Sequence, residues 1–544
     1  MISVTRREFM IGAAAAVGTA ALLNPISSVV AQVVAPATLP KGVSKNNFIK
    51  ACAEYRKILG TDNVIIDVAK IAPYAKIMIP SPNMQHQPLG ALIVHSVEEI
   101  QKVLAICNKY KVPVWPISTG RNIGYGSAAP ATPGQLVLDM RNMNKILEID
   151  ADLCTALIEP GVTYRQLVDY IEERKLNLWV SFPSSGGLSG PMGNILDRGV
   201  GYNRNCEHFS NFSGLEVVLP DGEILRTGLG GVKDSPAWQA YRWGFGPWVD
   251  GLFSQSNYGV VTKMGIWLMQ KPPGHQAFTI AWSDVETMAK GVDVARQLRL
   301  DNIIENGVVG NTLYGTAQQV HRSDIYQGSG AIPEETLAKY FADRKIPRWG
   351  FVACLYGTPE QLAINSKIVK DRFEAAGGKF RTGKDLDGDK NAAHMERVMT
   401  GTLDLTEFGL YNFRGGGGSA WLAPAVPARA VDVTKSYTIT AEIFRKHGFD
   451  YVGGFLMGVR HTEHVVDLLF DRNSPEEAER AHYCFKEALA ANAAAGYGVY
   501  RTNTGFMDQA AETYGPAQRS FNKRIKRALD PNGIIAPGKS GIYV

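Results

Sequence analysis

The strongest constraint in this sequence is a glycine-rich turn set directly behind a strand-like run. Gly120-Arg121-Asn122-Ile123-Gly124-Tyr125-Gly126 follows the apolar run 112–115 and a short link, 116–119. Glycines let neighbouring backbone N–H groups converge on one centre as a nest for an anion, and Arg121 adds charge there. The turn has neither the lysine of a triphosphate-binding loop nor the GxGxxG spacing of a dinucleotide fingerprint. Alone, such a turn is more often structural. Two further stretches favour the anion-site reading. One is Gly193-Asn194-Ile195-Leu196-Asp197-Arg198-Gly199-Val200-Gly201-Tyr202; the other runs from Gly251 to Gly259 and leads into Val260.

Around these stretches, residues 35–273 alternate β-like runs (91–94, 136–139, 156–158, 214–218) with helical patterns at 97–110 and 164–174, as in an α+β domain. Pro272-Pro273 marks a boundary. Beyond it, long helical patterns (359–376, 428–447, 474–495) alternate with strand-like runs such as 350–355, and a turn-rich tail, 506–544, is expected to pack back on the first domain. At 544 residues the chain has room for two large domains. Its net charge of +5 comes from mixed acids and bases, with no basic block for nucleic acid. None of the six cysteines has CxxC spacing, so no thiolate metal site is expected. The absence of CxxCH means that this chain attaches no c-type haem. Buried free thiols are expected, with a disulfide open as the alternative. At the start, Arg6-Arg7 precedes an apolar run, 11–23, too short to span a bilayer well. Residues 1–32 thus read as a cleavable twin-arginine signal for export to the periplasm, leaving no membrane span in the mature chain; the alternative is an uncleaved anchor.

Together with Glu159-Pro160-Gly161-Val162-Thr163-Tyr164, the three glycine-rich stretches resemble the vanillyl-alcohol oxidase and p-cresol methylhydroxylase flavoprotein family. The likeness runs from about Lys76 to Gly541 and is strongest to the p-cresol methylhydroxylase and eugenol hydroxylase branch. It implies an α+β fold: an FAD-binding domain of two α+β subdomains (33–273), an α+β cap over the flavin (274–505), and a tail (506–544) rejoining the first domain. It implies FAD contacts from Gly120, Arg121, Asn122, Ile123, Gly124, Gly126, Pro160, Gly161, Gly193, Asn194, Asp197, Arg198, Gly199, Gly259, Val260 and Lys539. The most diagnostic stretch is Glu407-Phe-Gly-Leu-Tyr411-Asn-Phe-Arg-Gly415-Gly-Gly-Gly-Ser419. Tyr411 matches the tyrosine that forms an ether with the flavin 8α-methyl in one branch, while Ser419 stands where the other branch has its linking His. The oxidised 8α carbon is electrophilic, so a phenolate can attack it. The alternative for Tyr411 is packing beside noncovalent FAD.

The same resemblance implies a phenolate site of two Tyr hydroxyls and an Arg: Tyr125, Tyr500 and Arg501. A cation and two donors lower a phenol pKa from ~10, and phenolate then favours hydride loss from the para benzylic carbon. Water adding to the resulting quinone methide gives a benzylic alcohol. Glu407 is expected to activate that water, with Glu463 or His464 as rivals. The branch's Glu falls at Gly454 and its His at Glu463, so Gly453 and Gly454 are expected to leave room for a substrate larger than p-cresol. His86 matches a family position and is more often structural, and the spacing of His461 and His464 is only superficially that of metal ligands. Implied partners are a small phenol, a c-type cytochrome acceptor and a second flavoprotein copy in a homodimer. The rival functions are an O₂-using oxidase and a noncatalytic exported phenol-binding protein.

Overall fold

Apolar strands β1 (Val64–Ile65), β2 (Gly90–Ile93), β3 (Val114–Ile117) and β4 (Leu136–Asp139) form a sheet in the order β1-β2-β4-β3. This is seen in a computed structural model that describes residues 39–40, 42–82, 86–183 and 186–544. The twin-arginine segment expected at 1–32 lies outside the described residues. β2, β4 and β3 run parallel: the helix Val97–Tyr110 makes the crossover from β2 to β3, and residues 118–135, without a helix, connect β3 to β4. Helices α1 (Lys45–Leu59) and α2 (Val97–Tyr110) bury their apolar stripes on this sheet. α2 starts and stops where its sequence dictates: the Ser96 hydroxyl accepts from the Glu99 N–H, acids fill the first turn, and Lys111 ends it in a left-handed conformation. That ending makes Val112-Pro113 a link, so β3 begins two residues later than the apolar run suggests.

The second subdomain is an antiparallel sheet of β5 (Ile146–Asp150), β6 (Thr155–Ile158), β8 (Phe212–Val218), β9 (Ile224–Arg226) and β10 (Val260–Trp267), ordered β5-β6-β10-β8-β9. β7 (Leu178–Trp179) pairs with β11 (Met269–Gln270). Helix α3 (Tyr164–Glu173), opened by a Thr163/Gln166 capping box, packs its apolar face here. The short helix α4 (Pro191–Leu196) follows.

After Pro273 the chain forms an eight-stranded antiparallel sheet: β12 (Gly274–Trp282), β13 (Val308–Asn311), β14 (Trp349–Gly357), β15 (Lys379–Thr382), β16 (Gly418–Leu422), β17 (Ala425–Pro427), β18 (Gly453–Met457) and β19 (His461–Phe470). Helices α5 (Val285–Leu300), α6 (Pro359–Ala375), α7 (Ala430–Lys446) and α8 (Pro475–Ala494) bury their apolar residues against this sheet. Side chains alternate across a strand. In β19, Val466, Leu468 and Phe470 therefore join the core beneath the helices, while Val465 and Leu469 pack with Tyr125, Tyr411 and Trp421. The tail comes back to β3: the Val114 N–H donates to Ile534 O and the Ala536 N–H to Val114 O, at 2.8 and 2.7 Å. Fully buried Lys526 secures the turn, its ammonium donating to Asp530, Asn257 O and Ile535 O. All six cysteines are free. Among the described residues no helix is long and apolar enough to cross a membrane.

Candidate active site

One cavity of about 300 Å³ joins the three parts of the fold. Its walls come from the loop after β3, the α4 region, the turn before β10, the tail, and strands β13, β18 and β19 with residues 407–411. Of the expected residues it gathers Gly120, Arg121, Asn122, Ile123, Tyr125, Gly193, Asn194, Asp197, Gly259, Val260, Glu407, Tyr411, Gly453, Gly454, Tyr500, Arg501 and Lys539.

At the glycine-loop end, among the described residues no hydrogen bond engages the backbone N–H of Gly120, Arg121 or Asn122. These residues line the cavity, and N–H groups left free on its wall suit an anionic ligand group. Asp197, just after α4, ties the region together: it accepts from Asn122 Nδ2 at 3.0 Å and from Lys539 Nζ at 2.7 Å. Gln255 donates to the carbonyls of both Asp197 and Tyr500, linking this end to the other.

At the other end the Arg501 guanidinium carbon lies 3.9 Å from the Tyr125 ring centre and 5.6 Å from that of Tyr500. Backbone contacts hold Tyr125 and Tyr500, and Arg501 follows Tyr500 in the chain. The Thr504 N–H donates to Tyr125 O, the Tyr500 N–H donates to Ala423 O, and Gly126, at φ +117°, has space for no side chain beside Thr504. Burial raises the Tyr125 and Tyr500 hydroxyls above the usual phenol range, and Arg501 opposes this. Burial works against the Arg501 charge, but Tyr125, Tyr500 and Asp197 more than offset it and keep the guanidinium cationic. The Tyr125 hydroxyl, Arg501 Nε and Thr504 Oγ1 are buried without partners in the protein. Such atoms call for ligand groups.

Several expected residues lie elsewhere. His464 points to the helical side of β19, where Nδ1 meets the Ser436 hydroxyl and Nε2 the Tyr451 hydroxyl, and its ring stacks on Phe455. Burial lowers its pKa to about 3. A neutral ring with both nitrogens engaged has no free atom for the cavity, so His464 is removed as a water-activating base. Glu463 lies outside the main cavity and pairs with His461 at 2.8 Å. Gly124, Gly126, Pro160, Gly161, Arg198 and Gly199 do not line the cavity either. Gly161 and Gly199 lie against Arg141 O and the Asn194 side chain, where a Cβ would clash, and Arg198 donates to the Ser254 hydroxyl. His86 is buried with Nδ1 against Pro130 O.

The room attributed to Gly453 and Gly454 also needs correction. A Cβ at Gly454 would sit 2.1 Å from Val309 O, and one at Gly453 2.5 Å from Val465 O. These glycines let neighbouring strands approach. Gly310 is the position that opens space: it lines the cavity, shares the face of Val308, and its Cβ would meet nothing within 4 Å. The sequence reading missed Gly310, Tyr202, Tyr314 and Asp467. Asp467 shares its face of β19 with Glu463 and Val465, so counting twos from Glu463 would have found it. Its carboxylate is fully buried and accepts from the Ser419 hydroxyl at 2.8 Å. Burial pushes its pKa up to about 8, with Glu407 adding to the shift.

Comparison with known proteins gives consistent matches. Residues 88–228 match the FAD binding domain family, and 425–540 match the C-terminal domain of FAD linked oxidases. The flavoprotein subunit of 4-cresol dehydrogenase (hydroxylating) from Pseudomonas putida is 45% identical over 93% of this chain and 98% of its own. A crystal structure of p-cresol methylhydroxylase with substrate bound superposes with a TM-score of 0.91 at 45% identity, covering 93% of this chain and 99% of the other. The 4-ethylphenol oxidase of Gulosibacter chungangensis, in its isoeugenol complex, gives 0.89 at 32% identity over the same shares.

Proposed function

Because the chain belongs to the vanillyl-alcohol oxidase and p-cresol methylhydroxylase family of FAD-dependent oxidoreductases, we propose that it hydroxylates a 4-alkylphenol at the benzylic carbon and passes the electrons to a c-type cytochrome. The observation that carries this reading is Arg501 held against Tyr125 and Tyr500, with buried polar atoms left open to a ligand. Arg501 holds the substrate as a phenolate, and the Tyr125 and Tyr500 hydroxyls donate to its oxygen. Negative charge at that oxygen stabilises cation-like character at the para carbon, which makes hydride loss easier. Bound FAD supplies the hydride acceptor. Glu407, on the cavity wall, takes the proton of the incoming water.

We assign FAD to residues 33–273 with the tail 506–544, and the substrate cover to 274–505. The free N–H groups of the Gly120 loop suit the pyrophosphate, with Arg121 as countercharge. Tyr411, on the cavity wall, is assigned to an aryl-ether link with the flavin. Burial raises the Tyr411 phenol well above its ordinary pKa, with Asp467 adding to this, so attachment needs a base to take its proton. The cytochrome assignment is supported by the 45% identity to a protein named a dehydrogenase, against 32% to one named an oxidase. The twin arginine supports export.

The test is anaerobic addition of 4-alkylphenols to the purified yellow protein. Bleaching of the flavin absorbance followed by formation of benzylic alcohol is expected; no bleaching with any of them refutes the reading and favours a binding protein. Reoxidation by a c-type cytochrome rather than by O₂ with peroxide release is the expected second half, and stoichiometric peroxide overturns it.

A further inference from the structure

A second, much smaller cavity lies beside the main one. Its volume of about 10 Å³ is about the least that holds one water molecule. Val200, Tyr202, Val308 and Leu456 line both cavities, so the partition between them is one side chain thick. Glu463 and Glu207 line the small cavity and not the main one. Glu463 is 7% exposed and bonds through Oε1 to His461 Nε2 at 2.8 Å, while His461 reaches solvent, its side chain 40% exposed. Glu207 lies 4.0 Å from the same imidazole nitrogen. A Cβ at Gly458 would fall 2.5 Å from the His461 ring, so this glycine gives the imidazole its seat.

We propose that protons released by the reaction leave the site through Tyr202 and this water-sized cavity to Glu463, and from Glu463 through His461 to solvent. The proposal rests on the hydroxylation reading above. Converting a 4-alkylphenol and water to a benzylic alcohol releases two electrons and two protons. The electrons leave with the hydride and pass to the cytochrome. In the hydration step the water oxygen bonds to the benzylic carbon, the exocyclic C=C pair returns to the ring to restore the phenolate, and one water proton must leave. At the Tyr125 end of the main cavity the Tyr125 hydroxyl, Arg501 Nε and Thr504 Oγ1 are buried, so a proton released there needs a carrier to the surface.

Tyr202 is the only tyrosine among the described residues that lines both cavities. Its backbone is held by Asn306 Nδ2, which donates to Tyr202 O at 2.7 Å. Burial raises the pKa of Tyr500 and of Tyr314, both on the main wall, and Tyr202 adds to both shifts and Glu463 to that of Tyr500. Around His461 the ionisable groups are Glu463, Glu207 and Arg299, with Cys206 beside them. The Glu463 bond holds the imidazole above its ordinary pKa against burial and Arg299. An imidazole shifted upward from 6.5 exchanges protons with water near neutrality. Glu407 and Glu463 then have separate tasks: Glu407 faces the reacting water, and Glu463 acts through Tyr202 as a relay.

The test is anaerobic single-turnover stopped flow on the holoenzyme with 4-methylphenol, following flavin bleaching and then the decay of quinone-methide absorbance. Glu463→Gln and Tyr202→Phe should each slow the decay by about 100-fold, the scale of a lost proton-transfer group, and slow bleaching far less. His461→Gln, at a partly exposed position, should slow the decay too, and added imidazole should restore it. Equal slowing of both steps, decay at the wild-type rate in Glu463→Gln and Tyr202→Phe, or failure of imidazole to rescue His461→Gln overturns the relay. A wild-type protein that does not bleach overturns the hydroxylation reading itself.

Discussion

Placing a side chain at Gly310 tests where the substrate's para substituent sits. Gly310 lies in β13 between Gly350 of β14 and Gly454 of β18, and its Cβ would enter open space in the cavity. Gly310→Val adds three carbons to that space and puts a residue of higher strand propensity into a strand, so the fold should not lose stability. A group the size of one methylene in an apolar pocket is worth about 1–3 kcal/mol of discrimination, roughly 10–200-fold. A propyl or allyl substituent reaching past Gly310 should lose kcat/KM on that scale, whereas 4-methylphenol should change by no more than about 0.5 kcal/mol, roughly twofold. Gly454→Ala is the contrast. Its Cβ would press on Val309 O at 2.1 Å, so it should cost about 1–3 kcal/mol of stability, as overpacking does, and lower activity on both substrates alike. The assay is kcat/KM for 4-methylphenol and 4-propylphenol with each variant, beside thermal melts. Equal loss on both substrates in Gly310→Val, or size selectivity in Gly454→Ala instead, would refute the reasoning.

Tyr411→Phe should give a protein that binds FAD but releases it on denaturation; flavin that stays with the denatured variant chain, seen as fluorescence in a gel, would count against the ether. Arg501→Lys replaces a planar fork with a point charge and should lower kcat by about 100- to 1000-fold, the scale of one lost donor at a developing oxyanion; a bleaching rate within a fewfold of wild type would remove Arg501 from the site. For His464 the folded pKa of about 3 lies below the unfolded value of ~6.5. Between those values the unfolded chain binds the extra proton, so stability is lost as pH falls, by up to about 1.4 kcal/mol per pH unit. His208, also lowered to about 3 by burial and then by Arg501, adds a second such slope. His86 and His482, lowered by burial as well, act in the same direction; His464→Asn should make the pH dependence of urea melts between pH 6.5 and 5 shallower by one such slope, and an unchanged pH dependence would show that His464 titrates normally.

What could be read from the sequence follows from how far apart the interacting atoms are along the chain. The Gly120 loop and the pair Tyr500-Arg501 act through neighbouring residues, and the structure brings Gly120, Tyr125, Tyr500 and Arg501 to one cavity. The helix at Val97–Tyr110 was readable to the residue because its cap and charges are local. Positions on β13, β18 and β19 were harder because their roles depend on pairing between distant strands. His464 and Glu463 are adjacent in sequence, yet the strand period of two sends them to opposite faces, and a one-residue error in register exchanges their roles. Gly454 looked like missing bulk because an expected Glu was absent; pairing with β13 shows a close strand contact there and puts the open space at Gly310. Ser419 shows the same limit. In sequence it was only the place of a missing His, and nothing nearby gave it a partner. Only the β16–β19 pairing puts its hydroxyl on Asp467. A buried carboxylate beside the tyrosine assigned to flavin attachment was therefore out of reach until the strands were in register.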